Sequence, residues 1–588
     1  MKRVGYPLHG MAVVRINIPS KATLPDQWDD IRPHFPMPAP RKFQDEALSV
    51  AWWALDNDNF DNIVIEAPTG IGKSAIAMTL QARFKSAYLL TPTLGLTEQY
   101  KRDYGHVLEE VRGRSNFPCW INSGTAHNAP CYKGGKTCPH AKKDEDDPCP
   151  YYAQKWAGQD ARIALTNPAY LFRAIQFDEG WGQRDFAIID EAHNLEPFFM
   201  DLLEVKITES DFTAVWGPKS MPFFHIPEDW IDPIQNLMDG ALLKRDEARK
   251  DKNDTAEDTF SGIAQRCSTM LELLTRPTDM VMTQNNEKER TLIGKPVRVN
   301  RFAGERLEAV SRQRILLSAT VLDIETYLKS LGLDHQKTLF ICITKSPFKA
   351  SNFNIHYAPC GPMSFSKRKH SIPRQVKAIA AIMRRYPDQR GVVLPHTHAI
   401  RKEIVEGLKA EGLGDLVLTH DSDGRARDMV IERFMKSNRK GEVLISTYVG
   451  EGFDFAGDLA HWLVLSKIPY LYTPDPQIAQ RMEHDELEWR REHEGTPACP
   501  YEPPNQYSNG LCSSFSCSKP CQRWYNLQTT LKLVQGAGRI HRRPDDVGSI
   551  FILDGSWQRF YRQNGHLLPA WFRDNISEPP NWLKRHIS

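Results

Sequence analysis

The sequence predicts an α/β protein whose parallel sheets form two principal domains, with smaller modules spliced into them. Three observations carry that prediction. The run Asn62-Ile63-Val64-Ile65-Glu66 leads into the small-residue loop Ala67-Pro68-Thr69-Gly70-Ile71-Gly72-Lys73-Ser74 and then into the helix-favouring Ala75–Gln81. A second apolar run, Phe186-Ala187-Ile188-Ile189, delivers Asp190-Glu191-Ala192-His193 to the end of a strand. Further runs, Arg314–Leu317 and Glu442–Ile445, end in Ser318-Ala319-Thr320 and Ser446-Thr447. Open α/β sheets bind ligands outside the carboxyl ends of their strands, and each of these runs ends in residues suited to that place.

With 588 residues the chain exceeds what one hydrophobic core supports, so three or four domains are expected. Its hydrophobic share of 41% and charged share of 25% are ordinary for a globular protein, and no run approaches the ~18 apolar residues of a membrane span. Met1–Pro7 lacks the apolar stretch of ~7 to 15 residues in a secretory signal, so a cytoplasmic protein of a bacterium or a phage-infected host, with no membrane partner, is expected. A net charge of +2 gives no global field for a polyanion; nucleic-acid contacts would have to come from local basic grooves.

The first loop has the form of a phosphate cradle. Thr69, Gly70 and Gly72 let backbone N–H groups close around phosphates at the positive end of the following helix, Lys73 reaches the β/γ-phosphates, and the Ser74 hydroxyl ligates Mg²⁺. In the acidic box Asp190 suits Mg²⁺ and Glu191 suits the orientation of an attacking water, the minimum that phosphoryl transfer requires beside a lysine and a metal. Ser318 to Thr320 forms a hydroxyl-bearing strand end that suits coupling of hydrolysis to domain movement. Glu451-Gly452-Phe453-Asp454-Phe455-Ala456-Gly457 is another glycine-rich strand end, with Asp454 on the nucleotide side. In Gln535-Gly536-Ala537-Gly538-Arg539-Ile540-His541-Arg542, Arg539 and Arg542 are spaced for one helical face and can reach a γ-phosphate from the opposite domain, beside Gln535.

Eight of the eleven cysteines fall into two groups of four, while Cys267, Cys342 and Cys360 stand alone and read as small buried residues. Cys119, Cys131, Cys138 and Cys149 lie between the phosphate loop and the acidic box, in a segment with too few apolar residues to fold unaided. Four thiolates at these long spacings suit a zinc ion or an iron–sulfur cluster. Around them Arg112, Arg114, Lys133, Lys136, Lys142 and Lys143 offer phosphate contacts, and Phe117, Trp120 and Tyr132 offer stacking faces. Cys499, Cys512, Cys517 and Cys521 form a second group among prolines, read as a small loop-rich module that holds zinc, with no metal and a second iron–sulfur cluster as the alternatives; His484 and His493 are substitute ligands.

The order of these motifs resembles the XPD/DinG-like family of superfamily-two iron–sulfur DNA helicases. Arg41-Lys42-Phe43-Gln44 is similar to its adenine-reading element, with Gln44 the base contact; Leu90-Thr91-Pro92-Thr93 is similar to its DNA-backbone motif. Gly113–Cys119 and Cys149-Pro150-Tyr151-Tyr152 resemble the entry to and exit from its cluster, and Thr166–Leu171 and Ser346-Pro347-Phe348 resemble further signposts. Gly450 and His541 depart from the family pattern without removing a charge needed for hydrolysis, whereas Ser556 stands where the family commonly carries an arginine, whose contact is not expected here. The resemblance implies two RecA-like motor domains with an inserted cluster domain and a helical arch, ATP, Mg²⁺ and a [4Fe–4S] cluster as cofactors, and 5′-to-3′ travel on single-stranded or forked DNA by a monomeric motor.

The expected boundaries are an N-terminal extension over 1–40, the first motor domain over 41–110, 155–200 and 301–335, the cluster domain over 111–154, and the arch over 201–300. The second motor domain follows over 336–588, with a cysteine-rich insertion at 483–525. Val297 and Val299, alternating with Arg298 and Asn300, read as a strand returning to the motor core. The rival reading is an ATP-gated nucleic-acid-binding subunit of a larger complex, of the CRISPR-associated DinG-like kind, without unwinding of its own.

Overall fold

The computed structural model describes residues 12–16, 28–41, 43–56, 60–68, 70–121, 124–129, 139–140, 143, 148–177, 180–251, 253–276, 279–285, 289–343, 352–421, 424–447, 455, 457–492, 522–540 and 546–587. Thr69, Cys131, Cys138, Asp454, Cys499, Cys512, Cys517, Cys521 and Arg542 lie outside them, as do His493, the Ser346-Pro347-Phe348 signpost, Lys133, Lys136, Lys142 and Tyr132. Among the described residues no helix is long and apolar enough to cross a membrane.

The first lobe is built on β1 (Ala12–Ile16), β2 (Asn62–Glu66), β3 (Ala87–Leu90), β4 (Glu109–Val111), β5 (Ile163–Thr166), β6 (Arg184–Ile189), β10 (Ser311–Ser318) and β11 (Thr338–Ile343). They form one parallel sheet in the order β1-β11-β2-β10-β6-β3-β5-β4. The central strands carry apolar runs such as Ile63–Ile65, Phe186–Ile189 and Ile315–Leu317 because the sheet is covered on both faces. Ile63 and Ile65 pack with α1 (Gln44–Leu55), α2 (Lys73–Leu80) and α3 (Leu94–Tyr104). Val64 packs on the other face, with α5 (Pro168–Phe177), α6 (Leu195–Leu202), α10 (Asn300–Val310) and α11 (Ile324–Leu331). The sheet takes in β1 from the expected extension and β11 from beyond residue 335, since β11 lies between β1 and β2.

Between β6 and β10 the chain makes α7 (Glu209–Trp216), α8 (Ile231–Lys250) and α9 (Asp254–Leu274), together with an antiparallel sheet of β7 (Val205–Thr208), β9 (Thr291–Pro296) and β8 (Met280–Asn285). Trp230, Ile234, Leu237 and Ile263 share the core of the first lobe. The returning strand sits earlier than the alternation at 297–300 suggested. β9 ends at Pro296 and α10 starts at Asn300, while Val297 and Val299 are both fully buried, so their pattern records packing of a connector.

The second lobe is a parallel sheet in the order β14-β15-β13-β16-β17-β12-β18, built from β12 (Phe353–Tyr357), β13 (Gly391–Leu394), β14 (Val417–Thr419), β15 (Val443–Ile445), β16 (Trp462–Leu465), β17 (Gly548–Ile552) and β18 (Ile576–Ser577). Helices α12 (Arg368–Arg385) and α13 (His398–Ala410) cover one face. The other face holds α14 (Gly424–Lys436), α16 (Arg523–Ala537) and α17 (Trp557–Asn564). α15 (Pro476–Glu492) leads into the second cysteine group, and α4 (Pro150–Asp160) leads out of the first.

Candidate functional site

The phosphate loop leaves β2 and is pinned where it starts: Ala67 N–H donates to the Ser318 carbonyl at 2.9 Å, and Lys73 Nζ donates back to the Ala67 carbonyl at 3.5 Å. Gly70 and Gly72 both adopt positive φ, 86° and 91°. At Gly72 a Cβ would stand 2.5 Å from Gln44 Nε2, so space and backbone both require glycine there. The 41–44 element holds this loop. Arg41 Nη1 donates to the Gly70 carbonyl at 2.6 Å, Gln44 Nε2 donates to the Gly72 carbonyl at 3.0 Å, and Gln44 Oε1 accepts the Arg41 N–H at 2.8 Å. Gln44, assigned from the resemblance to base recognition, is buried and bonded to backbone; Phe43 is held at φ 72° with its ring buried. Ser74 is the first-turn hydroxyl of α2 and lies near Tyr104 of α3.

Asp190 is buried at the end of β6, its two oxygens accepting from Tyr100 Oη at 2.9 Å and from Glu191 N–H at 2.8 Å. Burial, and then the neighbouring Glu191 charge, push its carboxyl up to about 6, against the pull of Lys73 and the Tyr100 hydrogen bond. The Tyr100 hydroxyl is itself raised well above its usual range by burial and by Asp190. A carboxylate held this way gains when a divalent cation neutralises it. Glu191 adopts φ 50°, a left-handed conformation that turns it away from the strand direction and places Oε2 3.4 Å from His193 Nδ1. His193 Nδ1 also lies 2.9 Å from Ser318 Oγ, which accepts the Thr320 N–H at 2.9 Å. The strand end that suited coupling therefore touches both the phosphate loop and the acidic box.

Beside Asp190 and Glu191, at the ends of β3, β5 and β6, lies a pocket of about 380 Å³ lined by Thr93, Arg112, Asn167, Asn194 and Phe198 among others. Thr91 lies at its floor, buried and bonded to Thr97 at 2.7 Å; Thr93 caps α3. In the second lobe Gln535 stands on the last turns of α16 and Arg539 in the single 3₁₀ turn that follows, buried, its carbonyl accepting Phe455 N–H at 3.1 Å. The helix proper ends at Ala537, before the two arginines expected on one helical face.

Of the first cysteine group, Cys119 and Cys149 are described. Cys119 Sγ accepts the Ile121 N–H at 3.4 Å, and Cys149 is the N-cap residue of α4, at its positive end. Sulfur donors of this kind are the ligands that zinc and iron–sulfur centres take; no group of metal-binding side chains assembles among the described residues alone. Among the described residues, the nearby cations are already engaged. Arg112 pairs with Glu98 and Glu110, Lys143 with Asp160 at 2.6 Å, and Arg114 lies 4.2 Å over the Tyr151 ring. His484 faces Asp279 at 3.7 Å. Cys267 and Cys360 are buried, as single cysteines were expected to be, and burial pushes both thiols up to about 12. Cys342 is only partly buried and donates to Glu66 at 3.6 Å.

Sequence reasoning missed Tyr100, Tyr104 and Glu66. The tyrosines are four apart on the inner face of α3, a spacing visible in the sequence without its target. Glu66 accepts the Val321 and Leu322 N–H groups at 2.8 and 2.9 Å, tying the end of β2 to the turn after β10.

Two parallel α/β lobes, with a phosphate loop and acidic box on one and a glutamine–arginine helix end on the other, define the class: a superfamily-two helicase motor. Within it the chain is similar to the XPD-like helicases. A sequence-family model described as "Helicase C-terminal domain" matches residues 379–575, and one described as "Type III restriction enzyme, res subunit" matches 37–206. A regulator of telomere elongation helicase 1 homolog from Drosophila yakuba is 24% identical over 215 residues, covering 35% of this chain and 19% of the relative. A probable ATP-dependent helicase of Methanocaldococcus jannaschii is 26% identical over 203 residues, 28% of this chain and 30% of the relative. The chain thus spans a minor part of the curated relatives it matches. A solved structure titled XPD helicase shares the fold with a TM-score of 0.61 at 15% identity, covering 92% of this chain and 100% of that one. S. tokodaii Xpd4 does so with a TM-score of 0.53 at 14% identity and the same coverage.

Proposed function

We propose that the chain is an ATP-dependent DNA helicase that moves 5′ to 3′ on single-stranded DNA and opens forked duplex with the energy of ATP hydrolysis. The observation that carries this reading is the contact of Ser318 with both the phosphate loop and His193 of the acidic box. Lys73, Ser74 and Asp190, with Gly70, Gly72 and Thr69, would hold the triphosphate and Mg²⁺; Glu191 would align water. Gln535, Arg539 and Arg542 would meet the γ-phosphate from the second lobe, with Asp454 near it. Such hydrolysis is governed by positioning and charge neutralisation.

The pocket beside Glu191, lined by hydroxyl and amide side chains and by Phe198, suits a strand whose phosphates take hydrogen bonds and whose bases stack. Cys119, Cys131, Cys138 and Cys149 would hold a [4Fe–4S] cluster that folds its segment beside that strand, and Cys499, Cys512, Cys517 and Cys521 would hold zinc. The direction of travel and the cluster rest on the family resemblance.

Strand displacement on a forked duplex tests the reading. The wild-type chain should open the fork only with ATP and Mg²⁺, and Lys73→Ala should neither hydrolyse ATP nor unwind. A chain that binds the fork and hydrolyses ATP yet leaves the duplex intact would refute unwinding and favour the ATP-gated subunit. DNA-stimulated hydrolysis surviving in Lys73→Ala would refute the site.

A further inference from the structure

Glu196 lies on the first turn of α6, the helix that leaves the acidic box, and is buried. A carboxylate taken out of water must be paired on both oxygens. Among the described residues, the side-chain hydrogen bonds it accepts come from the second lobe. Oε1 accepts from Arg481 Nη1 at 3.2 Å and Trp524 Nε1 at 3.0 Å; Oε2 accepts from Trp524 Nε1 at 2.9 Å and Gln528 Nε2 at 3.2 Å. Arg481, on α15, also donates to the Val297 carbonyl at 3.2 Å and to Asp485 at 3.1 Å, and its guanidinium lies 4.6 Å over the Trp524 ring. Arg481 and Trp524 are buried as well.

Trp524 and Gln528 are on α16, the helix that carries Gln535 and runs into the turn of Arg539. At about 100° per residue, positions 524, 528 and 535 fall within about 40° of one another around the helix, so the face held by Glu196 is the face that bears Gln535. The separation along the axis is about 16 Å. Glu191 is five residues before Glu196 on the other side of the contact.

We infer that Glu196 is a positioning residue: its buried clamp on Arg481, Trp524 and Gln528 fixes the helix of Gln535 and Arg539 against the helix that leaves the acidic box, and so sets the second lobe's half of the nucleotide site. The inference rests on the proposed hydrolysis between the lobes. Glutamine at position 196 has the same size but sets an N–H against the N–H donors of Trp524 or Gln528.

The test compares the full-length wild type, Glu196→Gln and Glu196→Asp by steady-state ATPase with DNA and by hydrogen exchange without nucleotide. In Glu196→Gln, kcat should fall about tenfold while KM for ATP stays within about twofold, because the first lobe's ATP contacts are untouched. Amides of 523–537 should exchange about tenfold faster and those of 73–80 as in wild type, with partial recovery of both readouts in Glu196→Asp. Wild-type kcat and exchange in Glu196→Gln would overturn the clamp. So would equal loosening of 73–80 and 523–537, which marks a general loss of structure. Exchange needs no turnover: a wild type without ATPase would sink the proposed hydrolysis, and selective loosening of 523–537 would still uphold the clamp.

Discussion

Asp190→Asn is expected to stabilise the protein freed of Mg²⁺ and nucleotide at pH 8 and to leave its stability unchanged near pH 4. The carboxyl stands at about 6 in the folded protein against an ordinary 3.8, because burial and Glu191 outweigh Lys73 and Tyr100. A raised folded value means that the folded state holds the proton more tightly than the unfolded chain. Stability from this group is therefore full below 3.8, falls as pH rises from 3.8 through about 6, and stays low above that. The distance from 3.8 to about 6 corresponds to about 3 kcal/mol, at about 1.4 kcal/mol per pKa unit. Asparagine never ionises, so it escapes this loss. Its carbonyl can still accept Glu191 N–H, and the Tyr100 hydroxyl can rotate to accept from the amide. Melting curves of both proteins in chelator at pH 4, 6 and 8 measure the difference. The gain should open between pH 4 and 6 and level off above; Mg²⁺ with ATP should raise the melting temperature of wild type only, and the variant should not hydrolyse ATP. A variant less stable than wild type at pH 8, or a gap of one size at every pH, would refute the reasoning.

Three further outcomes are expected. Ser318→Ala removes the acceptor for Thr320 N–H and the partner of His193, and should slow unwinding about tenfold while ATPase stays within about threefold; parallel loss in both assays would show that the serine serves only hydrolysis. Gly72→Ala forces φ 91° on a side chain that meets Gln44, a local cost of about 1 to 3 kcal/mol, and should weaken binding of a fluorescent ATP analogue at least about tenfold; unchanged titration would mean the loop relaxes freely. Cys119→Ser, purified without oxygen, should lose iron and visible absorbance and unwind at least about tenfold more slowly with ATPase retained; undiminished unwinding would show the cysteine group to be dispensable.

Much of the site was legible because its chemistry is local in sequence. The phosphate loop and acidic box each sit within eight residues of a strand whose centre is buried on both faces and hence apolar. Contacts that cross the chain were not legible. Tyr100 meets Asp190 across 90 residues, and Glu196 meets Trp524 across 328. Gln44 looks like a base contact from its motif alone; only the positions of Gly70 and Gly72 show that the 41–44 element grips backbone. In the arch region the antiparallel sheet went unseen because Met280–Asn285 carries little alternation, whereas the alternation at 297–300 came from two buried valines in a connector.

Sheet order explains why Ser318 reaches both catalytic loops. β10 is inserted between β2 and β6, so the strand end at Ser318 is flanked by the phosphate loop on one side and the acidic box on the other, although over a hundred residues separate it from either. The turn that follows is not free to drift, since Glu66 holds the amides of Val321 and Leu322. The next residue, Asp323, accepts from Arg523 Nη2 at 2.8 Å, and Arg523 also meets Glu325 at 2.7 Å. Arg523 is the first residue of α16. Two independent contacts, Asp323 with Arg523 and Glu196 with Trp524 and Gln528, thus seize the same end of the helix that carries Gln535. A displacement of the β10 end has one stiff element to act on in the second lobe, and that element ends at Ala537, just before the turn that holds Arg539. Whether the displacement is transmitted is an energetic matter, and the pairwise coupling of Ser318→Ala with Glu196→Gln measures it: additive losses would mean that the two routes act separately.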